Sequence, residues 1–235
     1  MEDQTNGNPF DGNSRASYFH NSLGGYSPAK LALYQDLIEH QLNKGNIEVY
    51  NMLNAKYFIS NDPATNKPVA QLNPSAYGPV WFIKAIKYVN NANEEMLALD
   101  SLNLRDTAVI DKRERSKITV TPQYDSTATI SLVKNINDEI IYQSKTASNQ
   151  FAVFGEIYYP KGWKAFIDDK ETPIVKVNYV LRGLNIPAGN HTIRFAFEPA
   201  SYKKGMYISL VAGIVSLLIL LVCGLLLYRQ NKKNA

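Results

Sequence analysis

Two clusters of aromatic and hydrogen-bonding residues carry most of the chemistry this sequence can offer. The first runs Ser17-Tyr18-Phe19-His20-Asn21-Ser22-Leu23-Gly24-Gly25-Tyr26 and sets rings, an amide and an imidazole beside a diglycine. Aromatic faces with amide and imidazole donors suit a sugar or another polyol, and a helix start just beyond them suits an anionic group. The plainer alternative is a loop wedged into its own domain core. The second cluster, Glu156-Ile157-Tyr158-Tyr159-Pro160-Lys161-Gly162-Trp163, joins two strand-like runs through a proline and a glycine. It can present its rings as a stacking platform, or the same rings can plug the end of a β-sandwich. The candidate ligand contacts are Tyr18, His20, Tyr26, Tyr158, Tyr159 and Trp163.

Catalytic motifs are missing. His20, His40 and His191 lie far apart, and none has a second ligand at metal-binding spacing, so neither a zinc-type site nor any other cofactor is expected. There is no nucleophile elbow, no phosphate-cradling glycine loop and no dinucleotide fingerprint. Asp168 and Asp169 are neighbouring carboxylates, but their place between apolar runs favours a hairpin turn over acid–base work. Asn190-His191-Thr192 fits an N-glycosylation sequon at the start of a strand, which would mean nothing in a bacterial protein. A net charge of +4 is mild, and its densest basic stretch, Lys112 to Lys117, reads as a solvated loop, so no nucleic-acid partner is expected.

The elements that must position these clusters change character along the chain. A polar start over 1–16 is expected to be disordered. Ser27 and Pro28 predict a helix N-cap and first turn, with Leu31, Tyr34, Leu37, Ile38 and Leu42 at helical spacing up to Gly45. Asn46 is placed to cap a short helix through Leu53; Lys56 to Ile59 reads as a buried strand, and Val80 begins a strand running to Val89. Asn91 with Glu94 gives a capping-box variant ahead of another short helix. From Thr107 the apolar residues alternate, starting with Ile118 and Val120 and ending with Ile193, Phe195 and Phe197, as in an antiparallel sandwich. The expected fold class is α+β: a mixed α/β region over 17–106, a β-sandwich over 107–200, then a single transmembrane helix.

That helix is the run from Gly205 to Tyr228, uncharged over about 24 residues and therefore roughly 36 Å long, enough to cross a bilayer. Lys203 and Lys204 precede it, and Arg229, Lys232 and Lys233 follow it in a short basic tail over 229–235. These flanking charges do not fix its orientation. Cys223, the only cysteine, lies within the run, so no disulfide framework is expected. The acidic, polar beginning contains no secretory signal. Either the domain is cytosolic and tail-anchored, or a membrane segment upstream carries it outside.

Three segments together resemble a known family: SYFHNSLGGYSPAKLALYQDLIE, NIEVYNMLNAKYFI, and the long stretch from Gln150 to Pro199 containing Tyr-Tyr-Pro-x-Gly-Trp and Asn-Tyr-x-Leu-Arg. With the hydrophobic helix behind them, they look like the C-terminal part of YfhO-like bacterial membrane proteins of the Bacteroidetes type. The resemblance implies a GT-C glycosyltransferase-like protein of the cell envelope that uses a polyprenyl-linked sugar. It implies an extracytoplasmic domain, a cytoplasmic tail, and an upstream multi-spanning helix bundle carrying the catalytic carboxylate, so no catalytic residue transfers to this chain. Asp169 stands where that family usually has glycine. The alternative is a membrane-tethered, non-catalytic module that binds a glycan or another protein.

Overall fold

The computed structural model describes residues 15–25, 27–123 and 125–233. Most of the expected disordered start, Tyr26 and the last two tail residues lie outside the described residues.

Alternating strands over the second half close two sheets face to face. One contains, in spatial order, β10 (Lys170–Thr172), β9 (Trp163–Ile167), β13 (Gly189–Phe197), β7 (Glu139–Thr146) and β6 (Thr129–Ile136). The other contains β11 (Val175–Val177), β12 (Leu181–Ile186), β8 (Gln150–Ile157) and β3 (Val80–Phe82), and every pairing in both sheets is antiparallel. Ile140, Tyr142, Ala152, Phe154, Ala165, Leu184, Ile186, Ile193 and Phe195 interdigitate between them. Phe154 meets Tyr142 and Phe195 edge to face, each at 4.9 Å between ring centres, a preferred geometry for such pairs.

The four-stranded sheet is a middle layer. Its opposite face, with Trp81, Phe151, Val153, Val175, Val177 and Leu181, packs on the N-terminal elements. These are α2 (Ala32–Leu37) continued by a π-helical turn to Leu42, α3 (Ile47–Met52), α4 (Ala92–Ala98), and the parallel pair β4 (Ala85–Val89) and β5 (Thr107–Asp111), while the short α1 (Arg15–Phe19) contributes no residue to this core. Burial on both faces leaves every residue of β12, Arg182 and Asn185 included, and β8 from Gln150 to Phe154 buried without alternation. Gly183 is required by this close stacking, since a Cβ there would meet the Phe151 ring at 2.6 Å.

The fold is therefore α+β, with a mixed N-terminal half, an antiparallel sandwich and one C-terminal apolar helix, and several local expectations need correction. Pro28 lies in a turn, and α2 starts at Ala32 after an extended Leu31 with no side-chain cap; Ser-Pro also favours a turn, and here that use prevails. The run from Val80 to Val89 splits into two strands in different sheets, because Lys84 and Ala85 both donate their amides to the Asp106 carbonyl and bend the chain away from β8. Ile118 and Val120 are not in a strand; Asn185 receives the Thr119 amide and donates to the Lys117 carbonyl, replacing sheet pairing with a side chain. The 112–117 stretch is a 3₁₀ turn capped by Asp111.

The expected buried strand at 56–59 is β1 (Tyr57–Asn61), which pairs only with β2 (Pro68–Leu72) in a largely exposed ribbon. Only Phe58 turns inward, onto Tyr50. Asn46 caps α3 as expected, its side chain accepting the Glu48 and Val49 amides. Asn91 caps α4, with Glu94 reaching back to the Asn90 amide, one residue beyond the usual box.

The last element, α5 (Ala200–Lys233), is continuous, long and apolar enough to cross a membrane, and its apolar span is not buried against the domain. It contains the Lys203 position, and Lys204, Arg229, Lys232 and Lys233 are exposed on it.

Candidate functional site

One end of the sandwich gathers both sequence clusters. There β8 finishes, β9 begins with Trp163 and β13 ends at Phe197, three residues before α5. The Glu198 amide donates to the Gly162 carbonyl and the Phe197 amide to the Asp138 carbonyl, so the chain entering α5 is tied to two loops of this end. Gly162 has φ +137°, and a Cβ there would touch the Phe197 ring at 2.5 Å. Only glycine combines that backbone with that approach. The domain thus meets the membrane helix through a short, braced joint.

Arg182 lies inside this end, 3 % exposed. Its guanidinium sits 4.3 Å from the Trp163 ring centre and 5.3 Å from that of Phe195, while Nε donates to the Ile157 carbonyl at 3.0 Å. Nη1 has no hydrogen-bond partner among the described residues. Burial lowers the Arg182 pKa to about 10, against the opposing pull of Glu156. Burial likewise raises Glu156 above the ordinary carboxylate range, and the Arg182 charge only partly offsets this. The ring faces hold a cation that lacks a close carboxylate. Trp163 therefore sits between Arg182 and Phe197, and Tyr159 leans on Phe197 from 6.5 Å.

Beside this end, on the other face of β8, a cavity of about 370 Å³ is lined by Ser17, Ser22, Gly24, Gly25, Ser27 and Lys30, with Tyr34, Ile38, Leu53, Gly155 and Ile157 among the other walls. The Tyr34 hydroxyl donates to the Leu23 carbonyl at 2.6 Å and pins the loop over the helix. Gly25, at φ +129°, lets the chain pass Ser17 closely. Hydroxyls, an ammonium and loop amides stand over an apolar floor. That is a surface for a polar, hydroxyl-rich or anionic group, and among the described residues it contains no pair of titratable groups arranged for bond cleavage.

The structure brings the two sequence clusters side by side through Gly155 and Ile157, yet Tyr18, Tyr158, Tyr159 and Trp163 are not among the described residues that line the cavity. Tyr18 is 83 % exposed and stacks edge-on against Phe19 on α1, and His20 is exposed beyond it. Tyr159 and Trp163 are half-buried around Phe197 and Arg182, and half-buried Tyr158 donates its amide to the Val180 carbonyl. Tyr26 lies outside the described residues.

Two other polar groupings stand apart from this end, and the contacts that Glu95 and His191 make in them escaped the sequence reading. Glu95, fully buried, takes the Lys176 ammonium and the Tyr179 amide, and Tyr179 in turn donates to Asp36, joining α4 and α2 to the hairpin of the middle sheet. Burial raises the Glu95 pKa, opposed by Lys176. At the far end of the sandwich, Asp168 and Asp169 form the β9–β10 turn with φ of 48° and 64°. Asp168 accepts the Thr192 amide and lies 2.6 Å from His191 Nδ1, while His191 Nε2 faces the Ala188 carbonyl at 3.1 Å. The only signal for Arg182 and Lys176 in the sequence is a charge inside an apolar run. Among the described residues there is no group of acidic, histidine and cysteine side chains suited to a metal.

Residues 117–209 match the family model described as bacterial membrane protein YfhO. This covers the sandwich from the end of the 3₁₀ turn into the first part of α5. No curated protein and no solved structure matches the chain.

Proposed function

We propose, from the premise that this chain is a YfhO-like bacterial membrane protein, that its domain binds an envelope glycan or the sugar-phosphate end of a polyprenyl-linked donor without performing chemistry itself. In this reading it serves a GT-C-type glycosyltransferase helix bundle. The domain lies outside the cytoplasm, and Arg229, Lys232 and Lys233 lie inside.

The observation that carries the reading is the place of the 370 Å³ cavity, beside the braced joint from which α5 leaves the sandwich. A lipid-linked sugar presents its polar end at that level above a bilayer. Ser22, Ser27 and Lys30 supply hydroxyls and a cation for it, and Ile38, Leu53 and Ile157 supply an apolar floor.

The test is a titration of the full chain in lipid nanodiscs with a short-chain polyprenyl-phosphate sugar, followed by amide and methyl NMR. Saturable shifts confined to residues 17–34 and 155–157, lost in Lys30→Ala, support the reading. Shifts absent at millimolar ligand, or unchanged by Lys30→Ala, contradict it. A second reading, a module that binds a protein partner, has its motivation in the exposed ribbon of β1 and β2.

A further inference from the structure

The β1–β2 ribbon has two unlike faces. Its register pairs Tyr57 with Leu72 and Ile59 with Ala70, so these four side chains share one face, while Phe58, Ser60, Val69 and Gln71 share the other. The second face packs Phe58 inward on Tyr50 and contains a Gln71 to Ser60 hydrogen bond. The first is open: Tyr57 is 56 % exposed, Ile59 60 % and Leu72 59 %. An isolated two-stranded ribbon is marginal in water, and an apolar face on it calls for a neighbour.

The position of the ribbon identifies that neighbour. Its base is stapled by Asn73, which donates its amide to the Lys56 carbonyl and its side chain to Ala55 and Asn51. From Asn73 the chain passes through Tyr77, whose amide donates to Asn51, to Pro79, whose carbonyl accepts the Gly155 amide. Gly155 is two residues before the end of β8, the end where Arg182, Trp163 and Phe197 meet and α5 begins. The ribbon therefore springs from the end of the domain that the membrane helix ties to the bilayer. Lys56, exposed and 5.9 Å above the Tyr57 ring, and exposed Lys67 flank the apolar face as basic residues flank interfacial segments.

We propose that the Tyr57, Ile59 and Leu72 face of the ribbon is a second membrane contact, lying in the headgroup and acyl boundary of the bilayer that α5 crosses. This contact holds the domain at a fixed tilt beside its anchor, which a single helix with a short joint does not do alone. It is independent of the glycan reading and needs only that α5 is in the membrane.

Nitroxide accessibility on the full chain in phosphatidylethanolamine–phosphatidylglycerol vesicles tests it. Labels are placed by Tyr57→Cys, Ile59→Cys, Leu72→Cys, Ser60→Cys and Gln71→Cys in a Cys223→Ser background, and on native Cys223 in the parent. The expected result is several-fold preferential collision with oxygen over a water-soluble nickel chelate at 57, 59 and 72, and the reverse at 60 and 71. Nickel preference at 59 and 72 overturns the proposal. So does protection from both reagents, which would mean that protein, either a second copy or a helix bundle, covers the face. The Cys223 label separates causes: nickel preference there means that α5 is not in the bilayer, and the proposal falls with its anchor.

Discussion

The Arg182 guanidinium lies 4.3 Å from the centre of the Trp163 ring, bridging the two sheets where the sandwich meets the membrane helix. Trp163 is paired with Phe197, and Phe197 leads into α5. Packing inside the domain is thus mechanically continuous with the joint to the bilayer.

Replacing Arg182 alone should destabilise the domain. Arg182→Met removes the stacked cation and leaves Glu156 in its low-dielectric surroundings, at a cost of about 2–4 kcal/mol. Adding Glu156→Gln should recover most of that loss, because it removes the half-buried carboxylate that the Arg182 charge no longer offsets. Urea unfolding of the full chain in nanodiscs, arranged as a double-mutant cycle, measures the coupling.

Gly183→Ala should cost about 1–3 kcal/mol, since the new methyl meets the Phe151 ring and Val177 within the doubly buried sheet. The same unfolding measurement reads it. A Phe151→Leu partner change should recover part of the loss.

The β9–β10 turn should gain from glycine. Asp169 has φ 64° and is almost fully exposed, with Arg194 at 3.8 Å as an ion-pair partner among the described residues. Asp169→Gly relieves the left-handed backbone and should raise stability by about 0.5–1 kcal/mol. Thermal unfolding checks this.

His191 and Asp168 should give the domain a pH-dependent contribution. Both ring nitrogens face acceptors, so the imidazolium suits the site, and the hydrogen bond with Asp168 raises the His191 pKa above its ordinary value while it lowers that of Asp168. A raised histidine stabilises fully below its unfolded pKa, and that contribution is lost as pH climbs through the folded value. A lowered aspartate stabilises above its unfolded pKa and loses the contribution as pH falls through the folded value. The pair therefore contributes most between the two unfolded values, from about pH 4 to about 6.5, and solvent screening keeps it under about 1 kcal/mol. Imidazole NMR titration should show His191 returning toward its ordinary range in Asp168→Asn.

The membrane helix was legible because composition alone specifies it: an uncharged run of this length has few other fates. The sandwich was legible where strands have one wet face, as in β7, where buried Ile140, Tyr142 and Ser144 alternate with less buried neighbours. In β8 and β12 alternation says little, because burial on both faces hides which residues look toward which layer. The break after Ile83 depends on one distant carbonyl, that of Asp106, and the exposure of Tyr57 and Ile59 depends on what the ribbon lacks beside it. Neither has a local signature. Of the candidate site, the two segments were visible as unusual clusters, but the most conspicuous residues in them are rings. The cavity is built largely from the serines and glycines around those rings and from Lys30 beyond the first cluster, which only the path of the chain brings together.

The central claim, that this membrane-side cavity holds the polar end of a lipid-linked sugar, is tested most directly by photo-crosslinking in membranes containing the full chain. The probe is a polyprenyl-phosphate sugar with a photoreactive group on the sugar. The account predicts crosslinked peptides from residues 17–34 and 150–160, competed by unlabelled donor and reduced in Lys30→Ala. Crosslinks that map elsewhere, or that persist equally with a polyprenol lacking the sugar-phosphate, would contradict it.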